Sequence, residues 1–230
     1  MSRPTDLASL ATAAGRELAD ATAQDVITWA TATFASRFCV TSSMADAVLV
    51  DLVARVAPGT DVVFLDTGYH FAETLGTRDA VGAAYPVNLI TVNPVRTVAE
   101  QDARHGARLH DRDPDLCCEL RKVAPLERVL RGYDAWATGL RRDESSSRAR
   151  TGVVEWDERR GKVKVNPLAR WTAEDVAAYA AEHDVVVNPL LEIGYASVGC
   201  EPCTRRVAPG QDARSGRWAG LAKAECGIHA

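Results

Sequence analysis

Asp61-Val62-Val63-Phe64-Leu65-Asp66-Thr67-Gly68 decides the fold, because a run of strand length, apolar after its first residue, ends on a polar turn. Upstream, residues 45–56 place Val48, Leu49, Leu52, Val53 and Val56 on one helical stripe that Pro58-Gly59 ends. Before that helix, residues 37–41 are a short apolar run entering Thr41-Ser42-Ser43. Downstream, a helical stretch runs through 83 and a strand over 87–92 stops at Asn93-Pro94. Strands alternating with helices predict an α/β fold, a parallel sheet flanked on both faces by helices.

The same reading extends to both ends. Residues 6–35 are two Ala-rich helices. A helix over about 116–130 leads to a strand over 134–139 and a polar loop over 140–148, and a short strand at 163–165 precedes a capped helix start at Thr172-Ala173-Glu174-Asp175. From about 189, periodicity fades into a Gly- and Pro-rich stretch, including Pro202, Pro209 and Gly210, expected to wrap the domain as a loop-rich C-terminal tail. One domain over 1–230 is expected: helices to about 36, an α/β core over 37–190, and a cysteine turn with tail over 191–230. In open α/β sheets ligands bind beyond the carboxyl ends of the strands. The turn after the first strand, the Asp66-Thr67-Gly68 turn and the 140–148 loop should therefore meet at one crevice.

The 230 residues carry a formal net charge of −4, with 25% charged and 47% hydrophobic residues, a globular balance. Acidity argues against a nucleic-acid binder. No run reaches the roughly 18 apolar residues of a membrane span, and residues 1–34 show helical spacing rather than a signal-peptide core. A cytoplasmic protein without membrane association is expected, and the sequence leaves a homo-oligomer open. Basic residues gather instead at Arg141, Arg142, Arg148 and Arg150, and at Arg205, Arg206, Arg214 and Arg217, which suggests a small anionic ligand.

In a reducing cytoplasm the six cysteines read as ligands, nucleophiles or core residues. Cys117-Cys118 is a tandem pair, and Cys200-Glu201-Pro202-Cys203 is a C-x-x-C turn. Four thiolates hold zinc or a [4Fe–4S] cluster. Vicinal side chains diverge and reach a single ion poorly, whereas a cubane offers separate irons, so the pattern favours the cluster; zinc and unliganded redox cysteines are the other readings. Cys39, inside a strand, reads as a small core residue. Cys226 sits in Glu225-Cys226-Gly227-Ile228-His229 with Arg214, Arg217 and Lys223 nearby in sequence, a setting that suits a reactive thiolate on a movable tail. Ser42-Ser43-Met44-Ala45-Asp46, between strand and helix, has hydroxyls and N–H groups for a phosphate but also reads as an ordinary N-cap.

Taken together, these stretches resemble the assimilatory adenylyl-sulfate and phosphoadenylyl-sulfate reductases. The match runs through Ser42 to Asp46, Leu65-Asp66-Thr67-Gly68, Cys117-Cys118-Glu119-Leu120-Arg121-Lys122, Thr138-Gly139-Leu140-Arg141-Arg142-Asp143-Glu144-Ser145, Gly199-Cys200-Glu201-Pro202-Cys203-Thr204, Arg214-Ser215-Gly216-Arg217-Trp218 and the terminal E-C-G-I-H. It departs at Ser43, Met44 and Ala45, where glycine or an acidic residue is more usual. The resemblance implies an adenine nucleotide α-hydrolase-like (Rossmann-like) fold and one [4Fe–4S] cluster per subunit on Cys117, Cys118, Cys200 and Cys203. It makes Cys226 the nucleophile and assigns substrate contacts to Ser42, Ser43, Asp46, Leu65, Asp66, Gly68, Lys122, Arg148, Arg214, Arg217 and His229.

Members with the four cluster cysteines generally use adenosine 5′-phosphosulfate, so the implied activity is its reduction to sulfite and AMP through an S-sulfocysteine on Cys226, with thioredoxin as reductant. The alternative is the same chemistry on the 3′-phosphorylated substrate. An ATP-consuming ligase or RNA-thiolating enzyme would show a Gly-rich pyrophosphate loop and a basic surface, and a metal module or redox sensor would not need Cys226 and the arginines.

Overall fold

The structure, a computed structural model, describes residues 6–208, 210–221, 223 and 225–229. Residues 1–5 of the expected N-terminal helices and Pro209 of the expected tail lie outside the described residues. Two helices, α1 (Leu7–Glu17) and α2 (Ala23–Phe34), come first. Each has a side-chain cap: Asp6 accepts from Ala8 N, and Thr22 with Asp25 forms a capping box, so an orphan N–H of each first turn is satisfied.

There follow β1 (Phe38–Thr41), α3 (Val48–Val56), β2 (Asp61–Leu65), α4 (Ala72–Ala84), β3 (Asn88–Val92), α5 (Val98–His105), α6 (Leu109–Arg112), α7 (Pro114–Cys118), a π-helical turn (Glu119–Val123), α8 (Ala124–Leu130), β4 (Ala135–Ala137), β5 (Val154–Asp157), β6 (Lys162–Val165) and α9 (Ala173–Glu182). The six strands form one sheet in the order β3-β2-β1-β4-β6-β5. All neighbours are parallel except β5, which runs antiparallel to β6 as an edge hairpin. The sequence reading had no strand over 154–157. Only Val154 of this stretch is buried, so it lacks the continuous apolar signature of the inner strands.

Alternation along the strands divides the core. Phe38, Val40, Val62, Phe64, Ala135, Ala137, Val163 and Val165 face a large apolar layer with α1, α2 and α3. Cys39, Val63 and Trp136 face the opposite layer, with Leu126 and Leu130 of α8. Cys39 is fully buried there, as a core residue should be. Ile228 of the C-terminal segment packs on this second layer.

The expected helix over 116–130 is broken into α7, the π turn and α8. Pro125 has no N–H to give the Arg121 carbonyl and its ring crowds that oxygen, which a widened turn relieves. Helix α3 begins at Val48, later than the expected 45. Met44 takes a left-handed φ of 58°, and residues 45–47 instead pair with the 186–188 segment through Ala47 N to Val186 O at 2.9 Å and Asn188 N to Ala45 O at 3.0 Å. Strand order reverses between β1 and β4, so their carboxyl ends open a crevice. Among the described residues no helix is long and apolar enough to cross a membrane.

Candidate active site

A cleft of about 880 Å³ opens at this crevice. Its walls include Ser42, Ser43 and Asp46 after β1, Leu65 at the end of β2, and Gly139, Leu140, Arg141 and Arg148 after β4. Lys122 from the π turn and Arg214, Arg217, Glu225, Cys226 and His229 from the C-terminal segment also line it. Of the two arginine clusters, Arg141, Arg148, Arg214 and Arg217 line the cleft, while Arg142, Arg150, Arg205 and Arg206 are exposed away from it.

Ser42 does not point to a helix N-terminus. Its Oγ accepts from Met44 N at 3.2 Å, and the α3 terminus is covered by Asp46 Oδ1, which accepts from Val48 N at 3.0 Å. Burial pushes the Asp46 carboxyl up, with the Val48 N–H and Arg141 opposing. One N–H at the positive end of this helix is thus taken by a side chain, while Ser42, Ser43 and Asp46 all line the cleft.

Asp66 and Gly68 sit in the turn after β2 and are not on the wall of the cleft. Asp66 Oδ1 accepts from Gly68 N at 2.9 Å, closing an Asx turn, and Gly68 has a φ of +71°. A Cβ on Gly68 would stand 2.9 Å from Arg121 Nη2. The buried Arg121 guanidinium staples the turn, donating to Thr67 O, to Gln101 Oε1 at 3.1 Å and to Arg96 O at 3.3 Å. Thr67, absent from the sequence-derived site, links this turn to the cysteines: its Oγ1 lies 3.3 Å from Cys200 Sγ and accepts from Tyr69 N at 3.2 Å.

A second, smaller pocket adjoins the cleft, lined by Cys117, Cys118, Cys200 and Cys203 with Tyr69, Arg121, Lys122 and Trp218. Cys117 and Cys118 reach it from the end of α7, and Cys200 and Cys203 from a 3₁₀ turn tied down by Glu201 N to Tyr69 O at 2.7 Å. Burial and then the neighbouring thiols push Cys117 up to about 12, while burial, opposed by Lys122, pushes Cys118 up to about 11. Such thiols stay protonated unless a cationic group takes them as thiolates. Among the described residues no three His, Cys, Asp or Glu side chains converge as the ligands of a single ion must, yet four sulfurs line one pocket. Four thiols in one pocket are a donor set that a [4Fe–4S] cluster takes.

Lys122 and Trp218 line both pockets. Burial opposes the Lys122 charge, but Cys200 and Cys226 favour it and its pKa is raised. Trp218 N donates to Cys203 O at 2.9 Å, and Thr204 bridges to Arg217, so the C-x-x-C turn and the arginine segment form one antiparallel unit. Arg217 lies across the backbone at Gly199, where a Cβ would stand 2.1 Å from Nη2. It donates to Val198 O at 3.2 Å, stacks over Trp218 at 4.7 Å, and keeps a buried Nε without a partner among the described residues. The His229 ring stacks on Trp136, centroids 6.0 Å apart and planes 6° from parallel. Burial, then Lys164, Arg148, Arg160 and Arg214, hold His229 well below its ordinary pKa, so its ring is neutral near pH 7.

A crevice at the reversal of a parallel sheet, lined by Lys122, Arg141, Arg148, Arg214, Arg217 and Cys226, is the ligand-binding place of an α/β protein of this topology. The fold is the adenine nucleotide α-hydrolase-like one. FMN adenylyltransferase from Candida glabrata shares it, with a TM-score of 0.59 at 12% identity over 90% of this chain and 69% of that one. Residues 37–206 match the phosphoadenosine phosphosulfate reductase domain, and the chain belongs to that family. It is 66% identical to the adenosine 5′-phosphosulfate reductase of Streptomyces coelicolor, covering 97% of this chain and 95% of that protein. The phosphoadenylyl-sulfate reductase of Candida auris, solved with phosphate, superposes with a TM-score of 0.73 at 29% identity, over 90% of this chain and 99% of that one.

Proposed function

We propose that the chain reduces adenosine 5′-phosphosulfate to sulfite and AMP in cytoplasmic sulfate assimilation, with Cys226 as nucleophile and thioredoxin as the electron donor. The observation that carries this reading is the gathering of Cys226, Lys122, Arg214 and Arg217 on the nucleotide cleft, beside the four-cysteine pocket. The 66% identity to a protein named for this activity supports the 5′-phosphosulfate over its 3′-phosphorylated relative.

The Cys226 thiolate attacks the sulfate sulfur, forming a sulfur–sulfur bond as the bridging sulfur–oxygen bond breaks and AMP leaves with the electron pair. Lys122, Arg214 and Arg217 offset the repulsion between thiolate and phosphosulfate and stabilise charge growing on the leaving phosphate. The orphan Nε of Arg217 is a donor held ready for that anion. Neutral His229 adds no charge of its own and fixes the Cys226 segment by stacking on Trp136. One thiolate of thioredoxin then attacks the Cys226 sulfur, sulfite departs with the bond pair, and the second thiol closes the thioredoxin disulfide and frees Cys226. Both electrons come from the dithiol. Cys117, Cys118, Cys200 and Cys203 would hold a [4Fe–4S] cluster, which when bound supplies fixed charge and rigidity beside Lys122.

Turnover with reduced thioredoxin tests the proposal. Sulfite should form from adenosine 5′-phosphosulfate with a kcat/KM well above that for the 3′-phosphorylated compound. Preference for the latter would reverse the substrate assignment, and no sulfite from either would remove it.

A further inference from the structure

The arginines of the cleft rim are not all facing a ligand. Arg148 Nε and Nη2 donate to Glu225 Oε1 and Oε2, both at 2.8 Å, and Arg148 Nη1 donates to Glu144 Oε2 at 2.6 Å. Arg214 Nη2 adds a further bond to Glu225 Oε2 at 2.9 Å. The Arg148 and Arg214 side chains are only 11% and 13% exposed and Glu225 24%, so these are desolvated, charge-assisted pairs rather than loose surface contacts. The fork of Arg148, the face of a guanidinium that grips an oxyanion best, is wholly taken by Glu225. Glu225 and Glu144 thus answer the Arg148 charge, while Arg214 shares Glu225 and keeps its place on the cleft wall.

Glu225 is the residue before Cys226, one Cα step of about 3.8 Å away. On the other side Gly227 turns at a φ of +77°, Ile228 packs on the layer of Cys39, Leu126 and Trp136, and His229 stacks on Trp136. Cys226 is therefore held between an ionic contact and an apolar one. From this we infer that Glu225 is the positioning residue of the C-terminal segment: its bidentate pair with Arg148 latches Cys226 over the cleft, and Arg148 acts as the catch of that latch. The ionic half suits a segment that must close for attack and leave for reduction, since the attraction within a desolvated pair is largely offset by the hydration its charges regain on separating. The inference rests on Cys226 being the nucleophile proposed above.

The test uses Glu225→Gln and Glu225→Asp in the full chain. Gln loses the charge and sets an amide N–H against the Arg148 fork. Asp keeps the charge beside Cys226 but withdraws it by one methylene, which separates latching from a change in thiol acidity. Without substrate, alkylation of Cys226 by iodoacetamide, followed by peptide mapping, should rise on the order of tenfold in Glu225→Gln and by a smaller factor in Glu225→Asp. With adenosine 5′-phosphosulfate, single-turnover AMP release should slow by roughly 10- to 100-fold while the dissociation constant for AMP stays within about twofold, as for a misplaced nucleophile at an intact binding site. Unchanged Cys226 alkylation in both variants would overturn the latch. So would loss of AMP affinity in step with the rate, which would return Arg148 to the substrate site. The alkylation arm contains no substrate, so it decides the latch even if wild-type enzyme shows no burst and the adenylyl-sulfate reading falls.

Discussion

Gly199→Ala should behave as a disguised removal of Arg217. The new Cβ would stand 2.1 Å from Nη2, 2.4 Å from Cζ and 2.7 Å from Nη1, and it meets no other atom as closely. Ordinary contact begins near 3.4 Å, so the guanidinium must withdraw by about 1.3 Å, beyond the tolerance of a positioned catalytic group. It gives up the hydrogen bond to Val198 O and the face of Trp218 as it moves. Losing one partner of a desolvated charge contact weakens substrate binding or turnover by about 2–4 kcal/mol. The fold should hold, because the displaced atoms are the far end of a flexible side chain, so the melting midpoint should move by only about 2–4 °C per kcal/mol of strain in a chain of this size. Steady-state kinetics of Gly199→Ala, Arg217→Ala and the double variant form a cycle. The double variant should match Arg217→Ala alone, since both changes remove one group. Additive losses, or wild-type kinetics in Gly199→Ala, would refute the placement of Arg217 in the site.

Two further outcomes follow from the cysteines and from His229. Replacing any one of Cys117, Cys118, Cys200 or Cys203 by Ser should lower the iron and acid-labile sulfide of anaerobically purified protein; wild-type protein with stoichiometric zinc and no sulfide would contradict the cluster. The docked His229 has its pKa depressed below the free value of 6.5 by burial and nearby cations. A free segment therefore takes up a proton before a docked one does. Docking is at full strength above about pH 6.5 and weakens as the pH falls from there towards the depressed value. Amide exchange at residues 225–229 should rise over that window, and His229→Phe should keep the stack while abolishing the change; a pH-independent wild type would contradict the docked, neutral ring.

Much of this was legible in the sequence, for a physical reason. The inner strands are buried on both faces, and an apolar run such as Val62-Val63-Phe64-Leu65 between turn residues has few other uses. β5 was not legible because Val154-Glu155-Trp156-Asp157 alternates apolar and charged residues over only four positions, whereas the other edge strand, β3, keeps the run Leu89-Ile90-Thr91-Val92. The late start of α3 depends on pairing with residues 186–188, far along the chain, which no local pattern encodes. The cysteine spacing pointed to the four that line one pocket, since chemistry confines where sulfur ligands occur. Arginine clustering, by contrast, named eight candidates of which Arg141, Arg148, Arg214 and Arg217 reach the cleft. Thr67 and Trp218 carried no signal of their own. Thr67 matters through one hydroxyl facing Cys200, and Trp218 by forming a wall of both pockets.

The claim that everything else serves is that Cys226 attacks sulfur, and the direct measurement is the fate of the sulfo group. Wild-type protein is mixed with adenosine 5′-phosphosulfate in the absence of thioredoxin, and its peptides are then mapped by mass spectrometry. AMP should appear in a single burst, with one sulfo group on the peptide containing Cys226 that reduced thioredoxin discharges as sulfite. Cys226→Ser should bind substrate and form no adduct, because an alkoxide is far less accessible at neutral pH than a thiolate. A sulfo group mapped to any other cysteine, or sulfite formed by Cys226→Ser at the wild-type rate, would contradict the account.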